Sequence, residues 1–414
     1  TLNVATGAGF ASGTYRLIDY TGTLTDNGLA VGTVPAHSLY AVDTGTAGQI
    51  DLRVAVGQWW NGSNTTGGSS VSGGNGTWNV QAGTTNWTNE TGSAADAWGQ
   101  GGIAVFGGTA GTVTIAGATN PQVVGMDFMT DGYTVTGQSI TLAAFTAGLT
   151  PAIMVDSGTA TIISELAGTA GLEKTGDGLL LLSSANTYSG ITRVSGGVLK
   201  TDNQDGLGSS ADGTIVSDGA TLFYSSYSSG DFKDDLTLSG FGATGYSGAL
   251  YSEGSAVNVS GDITLAANTA IGTGPGAGLS INGTITGVNT DLTFNGSGGL
   301  LFGVMTLGTG GIAYNGDWSI YAANSYSGVT TIASGASVFL YNDGGLGDTT
   351  GGTTVSSGGT LAISDSGGSL TVSEPLTLQG SGVNGWGALR TIGINTVSGA
   401  ITLTGDTDIA VEGG

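Results

Sequence analysis

Val216-Ser217-Asp218-Gly219-Ala220-Thr221-Leu222 sets one apolar residue on each side of a small, glycine-centred bend. Ile332-Ala333-Ser334-Gly335-Ala336-Ser337-Val338 and Val355-Ser356-Ser357-Gly358-Gly359-Thr360-Leu361 share that shape, and Val194-Ser195-Gly196-Gly197-Val198-Leu199 is a shortened form. Glycine supplies the positive φ that a sharp corner needs. The apolar residues before and after the corner then point into one core, so the motif reads as strand, corner, strand. Such units lie roughly 20 residues apart, the period of a solenoid.

Around the corners, short runs alternate large apolar residues with Thr, Ser or Asn. Val113-Thr114-Ile115, Tyr133-Thr134-Val135, Val257-Asn258-Val259, Leu279-Ser280-Ile281, Leu292-Thr293-Phe294 and Leu370-Thr371-Val372 are examples. A period of two marks half-buried strands. No stretch keeps a helical period over helix length; Ala94-Ala95-Asp96-Ala97-Trp98 reads as one helical turn at most.

A longer repeat encloses these units. Asn186-Thr187-Tyr188-Ser189-Gly190 returns as Asn324-Ser325-Tyr326-Ser327-Gly328, Leu236-Thr237-Leu238 as Leu376-Thr377-Leu378, and Gly248-Ala249-Leu250 as Gly387-Ala388-Leu389. Ser260-Gly261-Asp262-Ile263-Thr264-Leu265 returns as Ser398-Gly399-Ala400-Ile401-Thr402-Leu403. The offset stays between 138 and 140 residues, so a block of about 139 residues is duplicated, over about 171–309 and 310–414 with the second copy truncated. Antiparallel sandwiches give the same strand signals but do not explain such a register. The reading is therefore an all-β parallel β-helix, an elongated rod of about 20 turns and on the order of 100 Å. Residues 1–56 are expected to form β-helix turns, 57–107 a Trp/Gly/Asn-rich segment on or between turns, and 108–414 the β-helix with the duplicated block.

Composition fits and excludes. Gly is 81 of 414 residues, charged residues are 9%, and 7 Lys+Arg against 30 Asp+Glu give a formal net charge of −23. In a β-helix, side chains stack on their equivalents, where like charges repel and Thr, Ser and Asn do not. A mostly helical protein is excluded by the glycine, and a nucleic-acid binder by the sign of the charge. With no Cys and one His, a zinc site of Cys or several His cannot be built. No apolar run reaches membrane-span length; Leu179-Leu180-Leu181-Leu182 has strand length. Thr1-Leu2-Asn3-Val4 does not read as a signal peptide. It and Asp408-Ile409-Ala410-Val411 both read as uncapped strand, which leads us to expect a piece of a longer protein or ends joined to like subunits.

From Gly171-Leu172-Glu173-Lys174-Thr175-Gly176-Asp177-Gly178-Leu179 to Asn186-Thr187-Tyr188-Ser189-Gly190-Ile191-Thr192-Arg193-Val194-Ser195-Gly196-Gly197-Val198-Leu199, the chain resembles the autotransporter-associated β-strand repeat of bacterial type V secretion passengers. The copy at Gly311–Phe339 keeps Asn324, Tyr326, Gly328 and Thr330, while Trp318-Ser319-Ile320 replaces the Leu run. The resemblance implies a right-handed β-helix exported through the outer membrane to the bacterial cell surface.

Trp59, Trp60, Trp78, Trp87 and Trp98 are the candidate ligand residues, a glycan-stacking platform; the alternative is a small core built of large rings. Ser364-Asp365-Ser366-Gly367-Gly368 looks like a serine-protease nucleophile motif, but a serine needs a base within reach, and His37 is far away along a solenoid. It reads as a turn, and no catalytic residue is assigned. Asp202/Asp205, Asp231/Asp234/Asp235 and Asp406/Asp408 read as solvated turn carboxylates, with no metal site and no cofactor beyond incidental Ca2+. Asn61, Asn64, Asn86 and Asn89 sit in glycosylation sequons and read as turn residues. The expected function is a structural, non-enzymatic cell-surface protein: a passenger stalk or adhesin mediating attachment, self-association or surface-layer formation. Its partners would be like subunits, neighbouring cell surfaces or glycans. The alternative is a polysaccharide lyase or depolymerase, which would want Arg/Lys and carboxylates in neighbouring turns; a toxin or protease passenger is third.

Overall fold

A computed structural model describes residues 2, 4, 11–25, 29, 31–81, 83–225, 230–254, 257–364 and 368–413. The described chain is all-β, with about 14 turns of parallel solenoid in two units, Thr1–Thr192 and Arg193–Gly414. Turns are fewer than the expected 20 because many exceed 20 residues, reaching 28 between the stacked Leu361 and Leu389. The first strands also lie outside the solenoid pattern.

In the second unit, nine parallel strands form one sheet in chain order, from Gly230–Phe232 through Val257–Val259, Leu279–Ile281, Gly299–Leu301, Trp318–Ile320 and Ser337–Leu340 to Ile409–Glu412. The register is strict. Val257 pairs with Leu279, Leu279 with Gly299, Gly299 with Trp318 and Trp318 with Val338. A facing row runs Phe294, Tyr314, Ile332, Val355, Leu378. Both rows are buried, and alternate residues face out, as the period-two pattern predicts. Phe294 and Tyr314 stack with centroids 5.3 Å apart and planes 11° from parallel. Outward-facing polar residues pair with their equivalents one turn on, Thr264 with Thr286 and Asn295 with Asn315, and Asn258 bonds to Asn282, two residues past its register partner Ser280.

The duplication is present in geometry as well as sequence. Leu222 pairs with Leu250 in the first copy, and Leu361 with Leu389 in the second. A bulge falls between Leu238 and Gly240 and again between Leu378 and Gly380. Thr221 Oγ1 donates to Gly248 O and accepts from Ala243 N; Thr360 Oγ1 does the same with Gly387 O and Val383 N. The corner glycine Gly219 has φ +78°, and Gly335 has +81°.

A second demand on glycine is not local. At Gly283, Gly303 and Gly316 φ is ordinary, but a Cβ would sit 1.9, 1.8 and 1.7 Å from the carbonyl oxygen of Gly261, Gly283 and Gly296, one turn earlier. Gly299 likewise leaves the space that the Trp318 ring fills.

In the first unit, the strands Thr112–Ile115, Tyr133–Gly137, Thr159–Ile162 and Leu179–Leu182 stack in parallel. The expectation of β-helix turns over 1–56 needs correction. Gly13–Asp19 and Ser38–Asp43 both pair antiparallel with Gln49–Trp60. Gln49–Trp60 enters the solenoid only at its end, where Gly57, Gln58 and Trp59 pair in parallel with Ile103, Ala104 and Val105. The antiparallel strands bring Leu39, Ala41 and Ala55 over Trp59, Ile103, Val105, Val124 and Phe145, a second core on the outside of the turns. Ala95–Asp96 is a strand paired with Trp87–Thr88, not a helical turn. Thr1 and Asn3 lie outside the described residues, whereas Ile409–Glu412 is a strand as expected.

The two kinds of glycine are separable by mutation. Gly303→Ala forces a backbone clash and is expected to destabilise by about 2–3 kcal/mol. Gly219→Ala, with open space around it, pays only for the left-handed backbone, about 1 kcal/mol. Urea unfolding midpoints check the order, and equal losses would contradict it.

Candidate functional site

The repeat's distinctive residues point inward. Tyr188 and Tyr326 are buried, and each hydroxyl lies 2.7 Å from the Oγ1 of Thr192 or Thr330. Asn186 Oδ1 accepts from Leu166 N at 2.7 Å, and Asn324 Oδ1 from Met305 N at 2.8 Å. Lys174 is fully buried, and its Nζ donates to the carbonyls of Thr175 and Gly176. Burial depresses its pKa to about 8 despite the opposing field of Asp177. The asparagines and the lysine satisfy backbone groups at the bends, and each tyrosine bonds a threonine hydroxyl, so the repeat motif carries structure rather than chemistry.

The tryptophan platform is corrected by burial. Trp60, Trp78 and Trp87 are wholly inaccessible, Trp98 is 4% exposed and Trp59 is 9%. Trp78, Trp87 and Trp98 lie within 5 Å of one another, centroid to centroid, and Trp60 meets Trp87 edge-on. Rings that cover each other's faces have none free for a sugar, and the segment builds a core of its own. Trp60 Nε1 donates to Gly74 O and Trp98 Nε1 to Gln100 Oε1. Asn61 and Asn86 are buried, while Asn64 and Asn89 cap their own turns by accepting from Thr66 N and Ser93 N.

His37 pairs with a carboxylate. Its Nδ1 is 2.8 Å from Asp127 Oδ2, and its ring packs edge-on against Trp59. Burial raises the Asp127 pKa, although the imidazole opposes the rise. The pair fastens the start of Ser38–Asp43 to the outer face of the turns. Ser366 lies outside the described residues. Among the described residues, no group of three or more His, Cys, Asp or Glu is placed to hold a metal ion. Asp231 accepts from Asn258, and Asp235 from the Asp262 backbone, as turn carboxylates do.

Asp234 departs from that pattern. It is buried, accepts from Thr214 Oγ1 at 3.0 Å, and is pushed up to about 6 by desolvation. Glu374 occupies the corresponding place in the second copy, accepting from Thr353 Oγ1 at 3.4 Å, and burial pushes it up to about 7.

Two surface features were not foreseen. Phe302, Tyr321 and Tyr341 form an outward ladder over three turns, with centroids 4.6 and 4.7 Å apart and planes 14° and 3° from parallel. Their spacing near 20 residues was visible in the sequence, but each inner face is covered by its neighbour. The other is a cleft of about 370 Å³ in the first unit, lined by Arg53, Phe145, Gln122, Thr14, Ser12 and Gly101 among others. It exists only because the antiparallel strands fold over the turns.

Comparison with known proteins gives this scaffold its class. The passenger-associated-transport-repeat family matches residues 172–200 and 313–336. An autotransporter adhesin, BmaC of Brucella suis biovar 1 (strain 1330), is 39% identical over 236 residues, which make up 54% of this chain and 7% of that protein. The chain thus spans a small part of that relative's length. No solved structure matches. The two matches support an autotransporter passenger domain.

The two buried acids give a pH signature. Their folded pKa values lie above those of the unfolded chain, so they add stability that is complete below about pH 4 and is lost as pH rises through 6 to 7. Glu374→Gln is expected to unfold at a higher temperature than the parent at pH 8 and at the same temperature at pH 4. Calorimetry at both values checks this; a variant less stable at pH 8 would contradict it.

Proposed function

We propose that the chain is part of the passenger of a bacterial surface adhesin: a non-enzymatic, exported solenoid that mediates attachment. The similarity to the BmaC autotransporter adhesin carries the reading, and the passenger-associated repeats support export. The structure is consistent with a scaffold role. The repeated Asn, Tyr and Thr residues are committed to bends, and His37 is committed to Asp127. A lyase or depolymerase would need basic residues beside carboxylates. The four ion pairs among the described residues are structural contacts: Arg16 with Asp19 inside one strand, Arg16 with Asp51 and Arg390 with Glu412 between strands, and His37 with Asp127. Other surfaces or like subunits are the partners this reading implies, with Ca2+ incidental to it.

Deleting residues 1–414 in frame from the full-length surface protein is expected to reduce attachment of the producing cells several-fold while the remaining protein still reaches the surface. Undiminished attachment would overturn the adhesin reading. Purified chain releasing product from an acidic polysaccharide would overturn the non-enzymatic one.

A further inference from the structure

Arg53 is one of only 7 basic residues in the chain, and it stands half-buried in the wall of the 370 Å³ cleft. Its guanidinium lies over the Phe145 ring, 5.7 Å from the centroid. The acid two residues away on the same strand face, Asp51, is held by Arg16, whose Nε donates to Asp51 Oδ1 at 2.5 Å. Arg16 also reaches Asp19 and Gln49. Among the described residues, Arg53 therefore makes no ion pair, in a protein with 30 acidic side chains. An arginine stacked on an aromatic ring keeps the edge of its planar fork free for a bidentate acceptor.

The rest of the cleft suits a sugar. The floor is apolar, with Val124, Ala143 and Phe145. The rim carries the Thr14 hydroxyl, the exposed Gln122 amide and the Gly101 backbone. Gln100 is already committed: it accepts from Trp98 Nε1 and Gln122 N and donates to Asn120 O, which fixes the wall beneath Gln122. One cation in a chain of net charge −23 favours a singly charged ligand group over a dianion. Carboxylate matches the fork in charge and geometry. The volume lies near the lower end of small-ligand sites, roughly 300–1,000 Å³, which limits the occupant to a short saccharide.

We propose that this cleft binds a carboxylate-bearing sugar, of the uronic or sialic acid type, with Arg53 on the carboxylate, Ala143 and Ala144 under the apolar face and Thr14 and Gln122 on the hydroxyls. The proposal deepens the adhesin reading and rests on it.

Calorimetric titration of the purified chain with trigalacturonate, sialyllactose and neutral maltotriose tests it. One or both acidic probes should bind and maltotriose should not. The acid that binds identifies the source, uronate or sialate. Arg53→Gln should weaken binding at least tenfold with the circular dichroism spectrum unchanged, and Arg53→Lys, which keeps charge without the fork, should fall between. Equal affinity in parent and Arg53→Gln would overturn the proposal, as would maltotriose binding as well as the acids or no binding of either acid at millimolar concentration. Cell attachment separates the two readings. Attachment lost on deleting the segment but kept in Arg53→Gln removes the cleft and leaves the adhesin. Attachment kept on deletion removes the adhesin, whatever the calorimetry gives.

Discussion

Within each unit, every solenoid turn must lie in register on the turn before it. Backbone N–H and C=O groups of a parallel strand are satisfied only by its neighbours, and each interior side chain sits on its equivalent one turn away. The remaining features follow from that contact. Stacked positions carry Thr, Ser and Asn because those residues bond to copies of themselves, as Thr264 and Thr286 do. Glycine appears where two turns approach so closely that a carbonyl fills the place of a Cβ, as at Gly303. Large rings enter where a glycine gives room, as Trp318 does beside Gly299.

The duplicated block repeats this solution down to its irregularities, with a bulge after Leu238 and again after Leu378. A buried acid recurs beside the stacked threonine, aspartate in one copy and glutamate in the other. Identical packing leaves little surface for novelty. The part of the first unit that breaks the pattern, where antiparallel strands cover the outer face, is also where a cleft forms.

The corners, the strands and the duplication were legible because their signals are local or periodic: Gly219 and Gly335 each sit between two buried apolar residues. The antiparallel start was not. Alternation along Ser38–Asp43 looks the same whichever direction its partner runs. The tryptophans carried two readings, platform or core, which the sequence could not separate, since a ring that offers its face to a sugar and one that packs on Trp87 are the same residue in a sequence. Arg53 gave no signal at all. Its isolation depends on Arg16 reaching Asp51 from another strand, and its ring partner lies 92 residues further on.

Few charges take part in any of this. Among the described residues four ion pairs occur, two of them on Arg16. Cohesion rests mainly on apolar side chains and on backbone and neutral side-chain hydrogen bonds, which mobile ions screen little, with carboxylates such as Asp231 and Asp235 adding acceptors at the bends. At the ionic strength of body fluids, charges more than about 8 Å apart barely feel one another, and here there is little for that screening to weaken. A fold held this way has little electrostatic attraction to lose when salt is added, and the salt-dependent part of its energetics is the mutual repulsion of the acidic side chains behind its net charge of −23.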